Sequence, residues 1–178
     1  MTPADAPDAA AVPQEDYRAA LAHLPGGVVV LATRAHGRDH AMVVTSLVSF
    51  SLEPPTVLVS LHLDSRLAPL IGEGRTWAAS IVAPGAEGAV AWLTEPGRPD
   101  LGQLQGVAHV RGERTGAAIV TPSAAWVECE TERVIEHHDH AVVLGRVLAA
   151  GRGQGTGALL HRLGRVRAIG EATRGTAT

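Results

Sequence analysis

The chain has 178 residues, enough for one domain with its own core and too few for two ordinary ones. Its formal net charge of −3 leaves no basic excess to argue for nucleic acid or an anionic membrane surface, and although 46% of its residues are hydrophobic, no apolar run reaches the roughly eighteen residues of a membrane span. Cys129 is the single cysteine, which excludes an internal disulfide and a multi-thiolate metal site and leaves a buried, inert thiol as the expectation.

Met1 to Pro13 is rich in Ala, Pro and Asp and lacks the basic start and apolar stretch of a signal peptide, so it reads as a disordered lead-in to a cytoplasmic protein. One domain is expected over residues 14–170, with a flexible tail at 171–178. Tyr17, Ala20, Leu21 and Leu24 recur at helical spacing from Gln14 onward until Pro25-Gly26-Gly27 stops the run. Val28 to Thr33 has strand composition, Arg34 to Asp39 is a polar turn, and a second strand is expected over Met42–Ser51. Glu53-Pro54-Pro55 breaks it, because proline has no N–H for a ladder, and Thr56–His62 makes a third strand. Ser65–Ile71 reads as a short capped helix, and Trp77–Val82 returns to strand. A weak helix at Glu87–Leu93 opens the segment Gly85–Val107, whose Pro and Gly residues predict a flexible functional loop. Strands at Ala124–His137 and Ala141–Leu148 are expected to pair across His138-Asp139, and the glycines from Gly151 to Gly157 form a loop without the strand and helix of a dinucleotide fingerprint. Roughly six strands with a few short helices predict a mainly β protein, a β-barrel.

Three groups of residues are candidates for chemistry. Thr45, Ser46, Ser49 and Ser51 form the densest polar cluster in an apolar strand; alternation puts Thr45, Ser49 and Ser51 on one face and Ser46 on the other, where they serve either as hydrogen-bonding groups for a bound ring or phosphate or as an ordinary wet face. Ser65-Arg66 at a helix start suits an anion, although Asp64 as a plain N-cap with Arg66 in solvent fits equally. In Glu136-His137-His138-Asp139-His140, only His138 and His140 share a strand face, with His161 as a distant third, so no metal is expected; a single histidine over a cofactor and a solvated turn histidine both stand. No Gly-x-Ser-x-Gly elbow supports hydrolase chemistry.

The segments Leu24–Val30 and Met42–Val59, the latter ending its polar strand in Glu53-Pro54-Pro55, resemble the flavin reductase family, the reductase partners of two-component flavin monooxygenases. The order continues through Ser65-Arg66, Trp77–Val82, Trp126–Cys129 and Asp139-His140 to Leu144–Val147, so the likeness covers about Tyr17 to Ile169. It implies an FMN-binding split β-barrel of Greek-key type, a homodimer with flavin between subunits, and use of NADH or NADPH to reduce FMN or FAD for a separate monooxygenase or halogenase. By position, Val43, Val44, Thr45 and Ser46 would line the isoalloxazine. Ser60, Leu61, Ser65 and Arg66 would serve the ribityl chain and phosphate, Ser80 would flank the ring, and His140 would meet the nicotinamide. Val43 stands where the family usually has threonine, Ser80 where asparagine is common, and His138 where a glycine often precedes Asp-His; Ala91-Trp92-Leu93 replaces a Phe-Ala segment and Val166 an aromatic. These departures keep two other readings open: a flavin binder that acts on an organic substrate or assists a partner enzyme, and an interaction module without flavin.

Overall fold

The computed structural model describes residues 12–170. The expected tail at 171–178 and all but two residues of the expected lead-in lie outside them. After helix α1 (Gln14–Leu21) come strands β1 (Gly26–Gly27), β2 (Val29–Ala35), β3 (Arg38–Val44), β4 (Val48–Leu52), β5 (Pro55–His62) and β6 (Thr76–Val82). Helix α2 (Glu87–Thr94) precedes β7 (His109–Arg111), β8 (Ala118–Val120), β9 (Ser123–His137), β10 (His140–Arg152), β11 (Ala158–Arg162) and β12 (Arg165–Ile169).

Seven strands form the main antiparallel sheet in the order β3-β2-β6-β9-β10-β5-β4. The strand expected over Met42–Ser51 is therefore two strands at opposite edges: Val44 pairs with Val29 in β2, whereas Val48 pairs with Leu58 in β5. A continuous apolar and hydroxyl pattern hides this change of partner from the sequence. The switch takes place in Thr45-Ser46-Leu47, and four Cα steps reach about 15 Å at most. Two edges of a seven-stranded sheet come that close only if the sheet curls round on itself. The result is a split β-barrel, its seam crossed by the chain, and the β9–β10 hairpin lies between β6 and β5 in the Greek-key manner.

Four hairpins have two-residue turns, one of them Glu53-Pro54 between β4 and β5. His36-Gly37 and Leu163-Gly164 both have positive φ at both positions, the geometry that matches the strand twist, while His138 at φ 52° begins the β9–β10 turn. The barrel interior is filled from alternate positions of β2, β5, β6, β9 and β10, among them Leu31, Val59, Leu61, Cys129 and Val143, around the fully buried Trp77. Gly145 lies opposite that indole; a Cβ there would sit 2.4 Å from Trp77 Cζ2. The other faces of β2 and β6 pack Val28, Val30 and Val82 beneath Val90 and Leu93 of α2.

Several expectations need correction. Ser65–Ile71 holds only a 3₁₀ turn over Ala68–Leu70, because Pro69 supplies no N–H for an α-helical ladder. The expected flexible loop is pinned beyond α2: Gln103 Oε1 accepts the Ala41 N–H at 3.0 Å, Arg98 donates to the Ala41 carbonyl at 2.9 Å, and Trp92 Nε1 donates to the Gln103 carbonyl at 2.8 Å. The glycine run is a loop after Arg152, but its composition reflects close backbone approach. Gly153 donates to the Ala124 carbonyl, and a Cβ there would lie 1.9 Å from the Ser123 oxygen. Beyond it, β11 and β12 join β1 in a second sheet that charged and small residues concealed.

Buried polar groups in the barrel are paired in series: Trp77 Nε1 donates to Thr131 Oγ1 at 2.9 Å, and that hydroxyl donates to the Ile71 carbonyl at 2.8 Å. Thr131→Val keeps the shape and orphans both partners, so it should destabilise the fold by about 1–3 kcal/mol. A urea titration followed by tryptophan fluorescence checks this.

Candidate active site at the barrel seam

The seam between β3 and β4 collects most of the residues marked out in the sequence. Val43 and Val44 close β3 on opposite faces, Val43 packed toward α2 and Val44 buried in the barrel. Thr45 is exposed at the crossover, and Ser46 Oγ donates to the Ser60 carbonyl at 2.7 Å, tying the crossover to β5. Phe50 interrupts the ladder between Ser49 and Ser51 with a bulge, so simple alternation along this stretch does not hold. Below the seam the barrel opens into an apolar mouth of about 450 Å³ whose walls include Leu47, Val48, Ser49, Val57, Val127 and Val147.

At the end of β5 the backbone turns, and Ser65 N–H donates to the His62 carbonyl. Arg66 follows, half-exposed, with Nη1 at 2.9 Å from both the Arg98 carbonyl and Asp100 Oδ1. No helix N-terminus lies beneath Ser65-Arg66, so an anion here would be held by the guanidinium and the Ser65 hydroxyl. Arg98 links this turn back to β3 through Ala41. The same rim thus carries the crossover, the β5 turn and the loop after α2.

His140 opens β10, in register with His62 of β5 and His137 of β9. Its Nδ1 lies 2.8 Å from Asp139 Oδ1, and among the described residues Nε2 has no hydrogen-bond partner. That bond, more than any other influence, holds the Asp139 carboxyl below the usual aspartate range. Among the described residues no group of three or more His, Cys, Asp or Glu is arranged to hold a metal ion, and no helix is long and apolar enough to cross a membrane.

Two sequence-marked residues are enclosed. Leu61 is buried in the barrel wall, its side chain packed in the core beside Trp77. Ser80 is fully buried as well, and its hydroxyl accepts the Val120 N–H at 2.9 Å, which commits it to holding β8 against β6. Neither side chain has free surface for a ring or phosphate in this structure. Conversely, His62, Arg98 and Asp100 were not marked. They reach the site through the β5–β10 pairing and the folded loop, and no local pattern encodes either.

Residues 21–170 match the flavin reductase like domain. The chain belongs to the flavin reductase family. It is 32% identical over 171 residues to the NADH-dependent FAD reductase of Streptomyces globisporus, covering 94% of this chain and 93% of that one. The solved structure of the NADH:FAD oxidoreductase from that organism, in complex with NAD and FAD fragments, superposes with a TM-score of 0.81 at 28% identity over 93% of this chain and 99% of the other. The flavin reductase component of a bacterial two-component tryptophan halogenase gives 0.78 at 27% identity, covering 90% and 100%. The family assignment agrees with the split barrel.

Cys129, in the barrel wall, has no free surface and takes no part in this site. Burial, reinforced by the charge of Glu128, pushes its thiol up to about 12. A thiol reagent at pH 8 should therefore react only on global unfolding. Because the unfolded thiol ionises near its ordinary value while the folded one keeps its proton, stability should fall as pH rises from about 9 toward 12, and Cys129→Ala should flatten that slope. Reagent kinetics and denaturation midpoints across this range check both.

Proposed function

We propose that the chain is an NADH- or NADPH-dependent flavin reductase that supplies reduced FMN or FAD to a separate monooxygenase or halogenase. The observation that carries this reading is the near full-length likeness to the Streptomyces globisporus reductase, with the likeness to the halogenase component in support. A cytoplasmic location, where reduced nicotinamide is supplied, and a homodimer belong to the same reading. Val48, Phe50 and Leu52 of β4 leave an exposed apolar strip beside the apolar mouth, a surface that a second copy would cover.

The residues present suit a flavin. The seam offers an apolar mouth for a ring system, an exposed hydroxyl on Thr45, the Ser46 and Ser60 backbone, and a half-exposed cation in Arg66 with Ser65 beside it. A flavin held here would supply the redox chemistry, as acceptor of the hydride from a reduced nicotinamide. Val43, Thr45 and Ser46 bind and orient it along the crossover. Arg66 holds the phosphate by exchanging Asp100 for it, an exchange that is inexpensive because the Arg66–Asp100 pair is solvent-exposed. Paired with Asp139 through Nδ1, His140 turns Nε2 toward the nicotinamide amide. The protein's task is to bring two rings into contact and exclude water, and no proton transfer by a side chain is required.

Purified protein mixed with FMN or FAD should oxidise NADH or NADPH with flavin-dependent loss of absorbance at the reduced nicotinamide band. Flavin binding without that oxidation would support instead the binder that assists a partner enzyme, and no flavin binding would support the interaction module. Arg66→Ala should weaken flavin binding by the lower part of about 1.5–3 kcal/mol, since Asp100 competes for the guanidinium; fluorescence titration reads it. His140→Ala should raise KM for the nicotinamide and lower kcat/KM while leaving flavin affinity nearly unchanged. Wild-type steady-state constants in that variant would remove His140 from the site.

A further inference from the structure

His62 has no part in the reading above, yet it is the group most closely built onto His140. The two are direct cross-strand partners in β5 and β10, and their rings meet edge to face with centroids 5.1 Å apart. The turns that carry them are also joined, because the Leu63 N–H donates to the Asp139 carbonyl at 2.9 Å. His62 Nδ1 accepts the Asp64 backbone N–H at 3.1 Å. A neutral ring that accepts at Nδ1 must carry its proton on Nε2. That nitrogen lies 3.9 Å from Asp139 Oδ2, while Oδ1 of the same carboxylate is bonded to His140 Nδ1.

We propose that His62 is a positioning residue, one that shares the Asp139 carboxylate with His140 and so fixes the ring and tautomer that His140 presents to the nicotinamide. One carboxylate lies between two imidazoles, each facing a different oxygen. A distance of 3.9 Å is longer than a hydrogen bond, so His62 acts on Oδ2 by electrostatic attraction and by blocking rotation of the carboxylate. Its ring edge also limits the torsion of His140. Left to itself, an exposed Asp–His pair such as Asp139–His140 would exchange among rotamers and lose its contact readily. The second histidine stands against both the carboxylate and the His140 ring and so restrains the pair. Such an arrangement matters for a hydride donor, since the rate depends on near-contact geometry.

The kinetic arm of the test rests on the reading of His140 given above, and a spectroscopic arm does not. Two replacements separate the two nitrogens of His62: asparagine keeps an acceptor near Nδ1 for the Asp64 N–H, and glutamine places an N–H donor near Nε2, toward Asp139. His62→Ala should raise KM for NADH by about 3- to 10-fold, the effect of losing one modest polar contact, with kcat and flavin affinity held within about twofold. His62→Gln should return KM to within about twofold of wild type, and His62→Asn should behave like His62→Ala. In a His140→Ala background the His62→Ala effect should vanish. Rescue by Asn and not by Gln, or wild-type KM in all three variants, would overturn the proposal by showing that His62 serves only its own turn. Nitrogen-15 spectra of the full protein provide the arm independent of activity. Wild-type His140 should show its Nδ1-protonated tautomer, and His62→Ala should shift both of its nitrogens toward a mixed population. Unchanged His140 nitrogens in His62→Ala would overturn the coupling even if KM moved. A His140→Ala variant with wild-type KM would remove the nicotinamide role of His140 while the spectra still decide whether His62 holds it.

Discussion

Three residues, Thr45-Ser46-Leu47, bind the two edges of the main sheet together. With β3 first and β4 last in the strand order, a flat sheet would place them several strand widths apart, more than so short a link can span. Curling is thus imposed by covalent connectivity, and side-chain packing fills the volume so enclosed. The long β9 and β10 carry the curvature, with two register shifts along their ladder that let the sheet bend. Trp77 occupies the enclosed centre, and Gly145 and Thr131 are matched to it, one by yielding space and the other by accepting its N–H.

The same link makes the seam the natural place for a site. Backbone that leaves one ladder and has not yet entered the next has no strand alongside it, and the Ser46 hydroxyl, bonded to the Ser60 carbonyl, braces it against β5. Conserving a rigid frame on either side while leaving a few residues unladdered is how a barrel of this size can position a ligand without a separate domain. At the far end of the long β9–β10 hairpin, His140 and its carboxylate stand on the tightest kind of turn, so their relative placement is set by strand register.

Much of this was legible in the sequence. The β2–β3 hairpin showed through its polar turn and flanking apolar runs, and the paired strands around His138-Asp139 lay within a few residues of their expected limits. The crossover was not legible, because alternation reports which face a side chain takes and carries no information about which strand lies alongside. Ser65–Ile71 gave a helical pattern too short to outweigh Pro69. Ser80 and Leu61 were assigned to the site by position along the chain, whereas their exposure depends on β8 and the barrel interior closing over them. His62 escaped notice for the same reason: its partner lies 78 positions away and is met only through a ladder.

Ala41 has a consequence beyond the loop that covers it. It lies on β3, at the outer margin of the main sheet, and both of its outward main-chain groups are taken by side chains, its N–H by Gln103 and its carbonyl by Arg98. A strand from a neighbouring molecule seeking to extend the sheet at this margin would have to break both bonds and lift a buried glutamine before forming its first rung. Sheet-to-sheet polymerisation through β3 is therefore disfavoured by the native fold itself.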